Sequence, residues 1–418
     1  MLANLVYRDI DLHLPDEPLP DGPVLAVANH FGGLADGVLL VDSLPRMPRV
    51  VARDVIWRIP VVGRLFSSLG GIPVHRPADS GPVSNETMFG SCYEALRLGD
   101  LVLIFPEGVT QDVPHMAEVR TGAARIALGA RASGARGVHV LPIGLHYEDK
   151  AGFRSRVLVN VGDPIDLDAW VSGRPGPSDA DDRDAVRDLT THLDARLRHV
   201  APDFPDWATA HSLDSAADVL LHDVDPSSRE IRYGERELLS ARMNRLPGTE
   251  RARLVDAGSA YRARLRELRT SDFGVLRGGA RDRRAWDWLL DVLVVVLLAP
   301  FALAGLLAAA VPLAAVVLLS RAPLAPAVRA TLVPGVALLG FMGEWLISVW
   351  QAQEGFGWAG ALVSALVFPM VVASFFLVHE HLALLIRRWR SRKRPGRAER
   401  PALEELRAEL SSRAWAAL

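Results

Sequence analysis

A single cysteine, Cys92, excludes an internal disulfide scaffold and leaves the redox compartment open. Lysine is nearly missing too: Lys150 and Lys393 stand alone among 47 basic residues, an arginine bias that codon composition explains before function does. The formal net charge of −2 gives no global electrostatic argument for nucleic acid. Met1 to Arg8 lacks a cationic start followed by an apolar core, so no cleavable signal peptide is expected. The Gly-x-Ser-x-Gly elbow of serine nucleophiles is absent, and no internal repeat is evident. Long hydrophobic runs are missing from residues 1–285 and concentrated in 286–386.

In the first part of the chain, short apolar runs alternate with helical patterns. Strands are expected at 23–28, 101–105, 138–143 and 156–162, and helices at 36–44, 86–98 and 118–133. That alternation predicts an α/β sandwich with a mixed or parallel sheet. Cys92 falls on the helix from about Glu86 to Arg97 and reads as a small core residue. Residues 171–181 form a loop. An amphipathic helix follows at 183–200, with Val186, Leu189, Leu193 and Leu197 on one face. A charged, helix-rich stretch without a catalytic signature then runs from about 206 to 270.

The chemistry concentrates in four blocks. Asn29-His30-Phe31-Gly32-Gly33-Leu34-Ala35-Asp36 closes the first strand pattern. A carboxylate can hold one imidazole nitrogen as N–H and leave the other to accept a proton from a hydroxyl. Taken alone, His30 and Asp36 are also compatible with an ordinary surface turn. Gly70-Gly71-Ile72-Pro73-Val74-His75-Arg76 supplies a cation suited to bidentate grip on phosphate. Leu101-Val102-Leu103-Ile104-Phe105-Pro106-Glu107-Gly108 ends a second strand in a turn. Val138-His139-Val140-Leu141-Pro142-Ile143-Gly144-Leu145 is a third strand with an internal proline, which calls for an edge or a bulge.

These four blocks, in this order, resemble the glycerolipid acyltransferases, the PlsC-like family of glycerol-3-phosphate and 1-acylglycerol-3-phosphate O-acyltransferases. Arg120-Thr121-Gly122-Ala123-Ala124-Arg125 also looks like a recurrent family stretch, where lysine is commoner than Arg120. The resemblance implies His30 as general base, Asp36 as its orienter and Arg76 as the grip on the acceptor phosphate. Glu107 would accept from an acceptor hydroxyl or fix Arg76, Gly108 would admit substrate to the backbone, and Pro142 would shape the pocket wall. It further implies direct attack of the hydroxyl on a thioester carbonyl, from acyl-CoA or acyl carrier protein, with no cofactor and no metal. The acceptor would be glycerol phosphate or a lysophospholipid. Five residues separate His30 from Asp36 where four are commoner in the family. Some eukaryote-like glycerol-phosphate acyltransferases share the longer spacing, and Gly32-Gly33 can absorb the extra residue. Thr110-Gln111-Asp112 replaces a frequent serine-histidine pair.

Residues 286–386 predict membrane helices. Trp288–Ser320, with Asp291 as its one charge, would be about 50 Å long as one helix, against roughly 30 Å of hydrocarbon. A hairpin broken near Pro300 or Gly305 is favoured over one tilted helix. Thr331–Trp350 and Trp358–Val378 are each near one span. Arginines at 281, 283 and 284, at 321 and 329, and from Arg387 to Arg394 place both chain ends on the inner face. His379-Glu380-His381 does not have zinc-protease spacing and reads as a helix end. The expected organisation is a catalytic domain at 1–170, a helical accessory region at 183–285, membrane helices at 286–386 and a basic tail at 387–418. The expected protein is an integral membrane O-acyltransferase of phosphatidic acid synthesis, its catalytic domain on the cytoplasmic side and bound to the lipid bilayer, not to nucleic acid. The alternative is a degenerate membrane-anchored lipid-binding or scaffold protein.

Overall fold

The computed structural model describes residues 3–58, 60–75, 85–110, 113–150, 152, 154–226, 231–276, 285–324, 326–390 and 399–418. The chain divides into two compact units, Met1–Pro205 with Pro326–Thr331, and Asp206–Ala325 with Leu332–Leu418.

The first unit is built on one mixed, eight-stranded sheet. Its strands are β1 (Tyr7–His13), β2 (Val24–Ala28), β3 (Arg49–Arg53), β4 (Ile72–Val74), β5 (Leu101–Ile104), β6 (His139–Tyr147), β7 (Ser155–Val161) and β8 (Ile165–Asp166). The order across the sheet is β1-β7-β6-β2-β5-β3-β4, with β8 alongside β6. All neighbours run parallel except β6 with β7 and β6 with β8. This is the α/β sandwich the pattern predicts. Strand β2 is buried at every residue because helices cover both faces of a parallel sheet centre.

One face packs against the helices Glu86–Arg97, Gly122–Ala132 and Arg183–Val200. Val186, Leu189, Leu193 and Leu197 are at most 4% exposed, as the helical spacing requires. The Arg183–Val200 helix therefore belongs with the first unit, whereas the sequence reading grouped it with the region that follows. Cys92 is fully buried in that core, and desolvation pushes its thiol up to about 12, the state of an inert packing residue.

Pro142 corrects a sequence expectation. It lies in β6, an interior strand, with Val27 of β2 as its register partner. Its carbonyl accepts from the Gly162 amide. In an extended strand the nitrogen of the same residue faces the same way. The missing N–H thus falls where the neighbour of β6 changes from β8 to β7, and no ladder bond is lost.

The second unit contains a bundle of the helices Trp207–Val224, Tyr233–Asn244, Gly248–Glu267, Asp272–Leu276 and Arg400–Ala417. Between the fourth and fifth come the apolar helices. Ala285–Ala308 continues through Pro300, and the break falls at Ala309 rather than near Pro300 or Gly305. Ala310–Arg321 follows. Pro326–Arg390 reverses at Gly357, whose φ of 66° only glycine adopts without strain. Leu289–Ala308 and Leu332–Ile386, with mean hydropathies of 2.6 and 2.5, are long and apolar enough to cross a membrane.

The two arms around Gly357 lie side by side: Trp345 Nε1 donates to the Ala365 carbonyl at 3.1 Å, and Ser364 meets Ser348 at 3.2 Å. Phe356 and Trp358 at the reversal are 82% and 78% exposed. Asp291, the lone acid of the first apolar segment, lies 2.9 Å from His381 Nδ1. That contact gives His379-Glu380-His381 a helix-pairing role.

Candidate active site

Three strand ends build the site. Strand β2 ends at Ala28, and the Asn29 side chain then imitates a strand backbone. Its Nδ2 donates to the Leu145 carbonyl at 3.0 Å, and its Oδ1 accepts from the Leu145 amide at 2.6 Å. This clamp ties the start of the His30 loop to β6. The His30 main-chain N–H donates to Glu107 Oε1 at 2.8 Å, which ties the loop to the turn after β5. The imidazole stacks on Phe105 from that same turn, with ring centroids 4.3 Å apart and planes 23° apart. Backbone and ring are both fixed.

His30 Nδ1 lies 2.8 Å from Asp36 Oδ2. Asp36 sits in the first turn of the Leu34–Ser43 helix and is fully buried, while the His30 side chain stays 19% exposed. The carboxylate accepts the Nδ1 proton, so the neutral ring keeps its lone pair at Nε2, which has no partner among the described residues. Both Asp36 oxygens also accept from the Gly32 amide at 3.0 Å, and Oδ1 accepts from the Tyr147 hydroxyl.

The glycine pair explains the five-residue spacing. Gly33, at φ 63°, starts the helix. A Cβ on Gly32 would stand 2.6 Å from Asp36 Oδ1 and 3.0 Å from the Tyr147 hydroxyl. Only glycine lets the carboxylate fold back that far.

Glu107 is tied to the backbone, while Arg76, a partner the sequence offers it, lies outside the described residues. Glu107 is 1% exposed, and its second oxygen accepts from the Ala117 amide at 2.8 Å. Both oxygens thus serve main-chain amides, one in the His30 loop and one in the loop after Gly108. Burial raises its pKa, and the two amide bonds oppose that rise. The Ala117 loop is itself braced. Met116 and Val119 pack with Leu197, Val200 and Ala201, and the Met116 amide donates to Asp203 at 3.2 Å. Glu107→Ala would orphan two amides and is expected to destabilise the first unit by about 2–5 kcal/mol. Thermal unfolding against unmutated protein checks this, and turnover should fall with it as His30 loses its anchor.

Gly108 adopts φ 64°, closing the turn with its amide on the Phe105 carbonyl at 3.1 Å. The Arg120 guanidinium lies alongside, within 3.5 Å of where a Gly108 Cβ would be, and the residue is exposed. Arg76 lies outside the described residues. The structure therefore brings together His30, Asp36, Glu107 and Gly108, while Pro142 sits farther back within β6. Tyr147, Asn29 and Phe105 join the site without having been singled out as functional. Tyr147 and Asn29 contact it through pairings over 100 residues apart, which no local spacing reveals. Among the described residues, no His, Cys, Asp and Glu group is arranged to hold a metal.

Comparison with known proteins finds relatives of the first unit. The chain is 34% identical over 136 residues to glycerol-3-phosphate O-acyltransferase 2 of Saccharomyces cerevisiae, covering 32% of this chain and 18% of that protein. It is 30% identical over 132 residues to a chloroplastic 1-acyl-sn-glycerol-3-phosphate acyltransferase of Arabidopsis thaliana, covering 32% of this chain and 34% of that one. The similarity thus spans under a fifth of the yeast relative and about a third of the plant relative. The crystal structure of the Thermotoga maritima 1-acyl-sn-glycerophosphate acyltransferase superposes over 48% of this chain and 73% of that one, at 19% identity and a TM-score of 0.34. The acyltransferase family model matches residues 10–146, a span that contains every block from His30 to Tyr147 except the last residue. Residues 10–146 of this chain are thus similar to the acyltransferase family.

Proposed function

We propose that this chain is a membrane-anchored O-acyltransferase that moves a fatty acyl group from a thioester, acyl-CoA or acyl carrier protein, to glycerol 3-phosphate or 1-acylglycerol 3-phosphate. The observation that carries the reading is the His30–Asp36 pair: a buried carboxylate 2.8 Å from Nδ1, with Nε2 open. In the reaction Nε2 takes the acceptor hydroxyl proton as the oxygen attacks the thioester carbonyl carbon. The carbon–sulfur bond breaks, and the leaving thiolate takes the proton back. No covalent acyl-enzyme is needed, in keeping with the absent serine elbow.

Both acceptor classes come from the names of the relatives, one a glycerol-3-phosphate and the other a 1-acylglycerol-3-phosphate acyltransferase. Arg76 is the candidate grip on the acceptor phosphate, and Arg120 beside Gly108 supplies a second cation at the turn. Glu107 supports the site through the backbone.

Anchoring suits a lipid product, which costs about 0.8 kcal/mol per buried CH₂ to pull from the bilayer. The helices before and after the apolar region form one bundle, which supports entry and exit on one face of the membrane. Contacts inside it support a re-entrant first segment. Gly305 abuts the Val371 carbonyl, whereas Pro312 abuts Gly340, next to the Phe341–Phe376 contact nearer the entry face. The chain thus turns back at Ala309, and the two arms around Gly357 cross and return. The arginine distribution supports a cytoplasmic shared face.

The deciding experiment supplies purified full-length protein in micelles with labelled acyl-CoA or acyl carrier protein and a panel of acceptors. Acylation of one phosphate-bearing glycerol acceptor is the expected result. Free fatty acid alone would mean a hydrolase. No product from any pair would mean a scaffold.

A further inference from the structure

Tyr147 ends strand β6, 111 residues along the chain from Asp36, yet its hydroxyl donates to Asp36 Oδ1. Its ring is held from behind by Tyr7 of β1, with centroids 5.8 Å apart, and Tyr7 is 2% exposed. Asp36 therefore has an assigned donor at each oxygen: His30 Nδ1 at Oδ2, Tyr147 at Oδ1, and the Gly32 amide shared between them.

From this geometry we infer that Tyr147 is a positioning residue of the acyl-transfer site, fixing Asp36 in the orientation that reaches His30 across five intervening residues. The inference rests on the acyl-transfer reading above. Gly32 and Gly33 bring no side chain to brace Asp36, so beyond the Gly32 amide the carboxylate takes its second fixed point from another element. Strand β6 provides that point, because the Asn29–Leu145 clamp locks β6 to the same loop two residues before Tyr147.

The hydroxyl also tempers the charge that His30 feels. Desolvation first, and then the Asp36 charge, keep the Tyr147 phenol protonated far above its ordinary range, so it remains a donor throughout the working pH. Among the described residues, the titratable groups around Asp36 are His30, Tyr147, Tyr7 and Glu107. Removing the phenol donor leaves a less dispersed negative charge against the imidazole. That favours the protonated ring, so the acid side of the rate profile moves to higher pH.

The test is Tyr147→Phe in the full-length protein, which keeps the ring and removes only the hydroxyl. Expected are a kcat lower by about 10- to 100-fold, the rate equivalent of one hydrogen bond to a charged group, an acceptor KM within about twofold of unmutated protein, and an acid limb displaced upward. A kcat within twofold and an unmoved limb overturn the inference. Lost turnover with lost thermal stability and an unmoved limb also overturns it, since that marks a structural contact alone. A second measurement does not need turnover. The ring-carbon NMR signal of His30 in labelled protein, assigned by its loss in His30→Ala, should titrate at higher pH in Tyr147→Phe. If unmutated protein transfers no acyl group, the acyl-transfer reading fails by itself. The NMR midpoint still decides whether Tyr147 acts on the His30–Asp36 pair, and an unchanged midpoint refutes it.

Discussion

His30→Ala is expected to lower acyl transfer by about 10²- to 10⁴-fold, the usual contribution of a positioned general base. The loss should appear with every acceptor and either donor, because the deleted group handles the proton common to all of them. The fold should survive. The bond from residue 30 to Glu107 uses the main-chain N–H, which alanine retains, and Asp36 keeps its bonds from Gly32 and Tyr147. Membrane insertion and thermal midpoint should therefore stay close to those of unmutated protein while turnover collapses. Asp36→Asn separates orientation from base strength. An amide at that position offers Nδ1 either a donor or a neutral acceptor, and both weaken the tautomer that leaves Nε2 free. Rate measurements on both variants, beside their unfolding curves, check the assignment. Full activity in His30→Ala would end it.

How far the sequence reaches can be judged element by element. Arg183–Val200 was legible to the residue, since its apolar spacing is strictly helical and Asp182 caps it. Strands β2 and β5 were legible within a residue as short apolar runs in a buried parallel centre. Strands β1, β3 and β4 escaped for a physical reason. Tyr7–His13 is a sheet edge carrying Asp9 and Asp11, Arg49–Arg53 is flanked by charge, and Ile72–Val74 is three residues long around a proline. Such strands are held by neighbours more than by pattern. The apolar segment broke at Ala309 although proline and glycine are the stronger local signals. Within an apolar helix, packing such as that of Gly305 on Val371 overrides them.

At the site, residue types and order were legible, and second partners were not. His30 and Asp36 are six apart, and the sequence can pair them. Glu107 reads as a substrate-binding carboxylate because its block ends a strand, and its described bonds go to the amides at 30 and 117. Tyr147 lies past the strand expected at 138–143 and carries no local signal of its own. Its bond to Asp36 exists only because β6 and β2 are sheet neighbours. Hydrogen-bond partners set by topology leave no mark on local spacing, so a sequence names the chemistry before it names the support.

The same limit hides a buried ion-pair cluster in the second unit. Asp272, 5% exposed, accepts from the Tyr261 hydroxyl at 2.5 Å and from Arg407 Nε at 2.8 Å, with His222 Nδ1 at 2.6 Å. Arg407 also meets Asp223 at 2.7 Å. Burial would raise the Asp272 pKa, but the bonds from His222, Arg407 and Tyr261 outweigh it and hold the carboxyl below its ordinary value. Arg407→Ala leaves two carboxylates without their cation and is expected to cost about 3–5 kcal/mol, the penalty for breaking one side of a buried ion pair. The Arg400–Ala417 helix should then undock, which limited proteolysis of full-length protein in micelles would detect beside a lowered unfolding midpoint. Replacing both partners, Asp272→Asn with Arg407→Met, should recover part of the loss, because no uncompensated charge stays buried. The pH dependence carries two signs. A carboxyl held low contributes stability above its unfolded value and loses it in acid, so Asp272 makes the bundle acid-labile. Asp218, one turn before His222, is pushed up to about 7 by desolvation against the pull of Arg236. Its contribution is present in acid and lost as pH rises toward 7, so Asp218→Asn should stabilise the protein at pH 8 and leave it unchanged below about pH 4. Unfolding midpoints of Arg407→Ala indistinguishable from those of unmutated protein at neutral pH would show that the bundle holds its C-terminal helix by apolar packing alone.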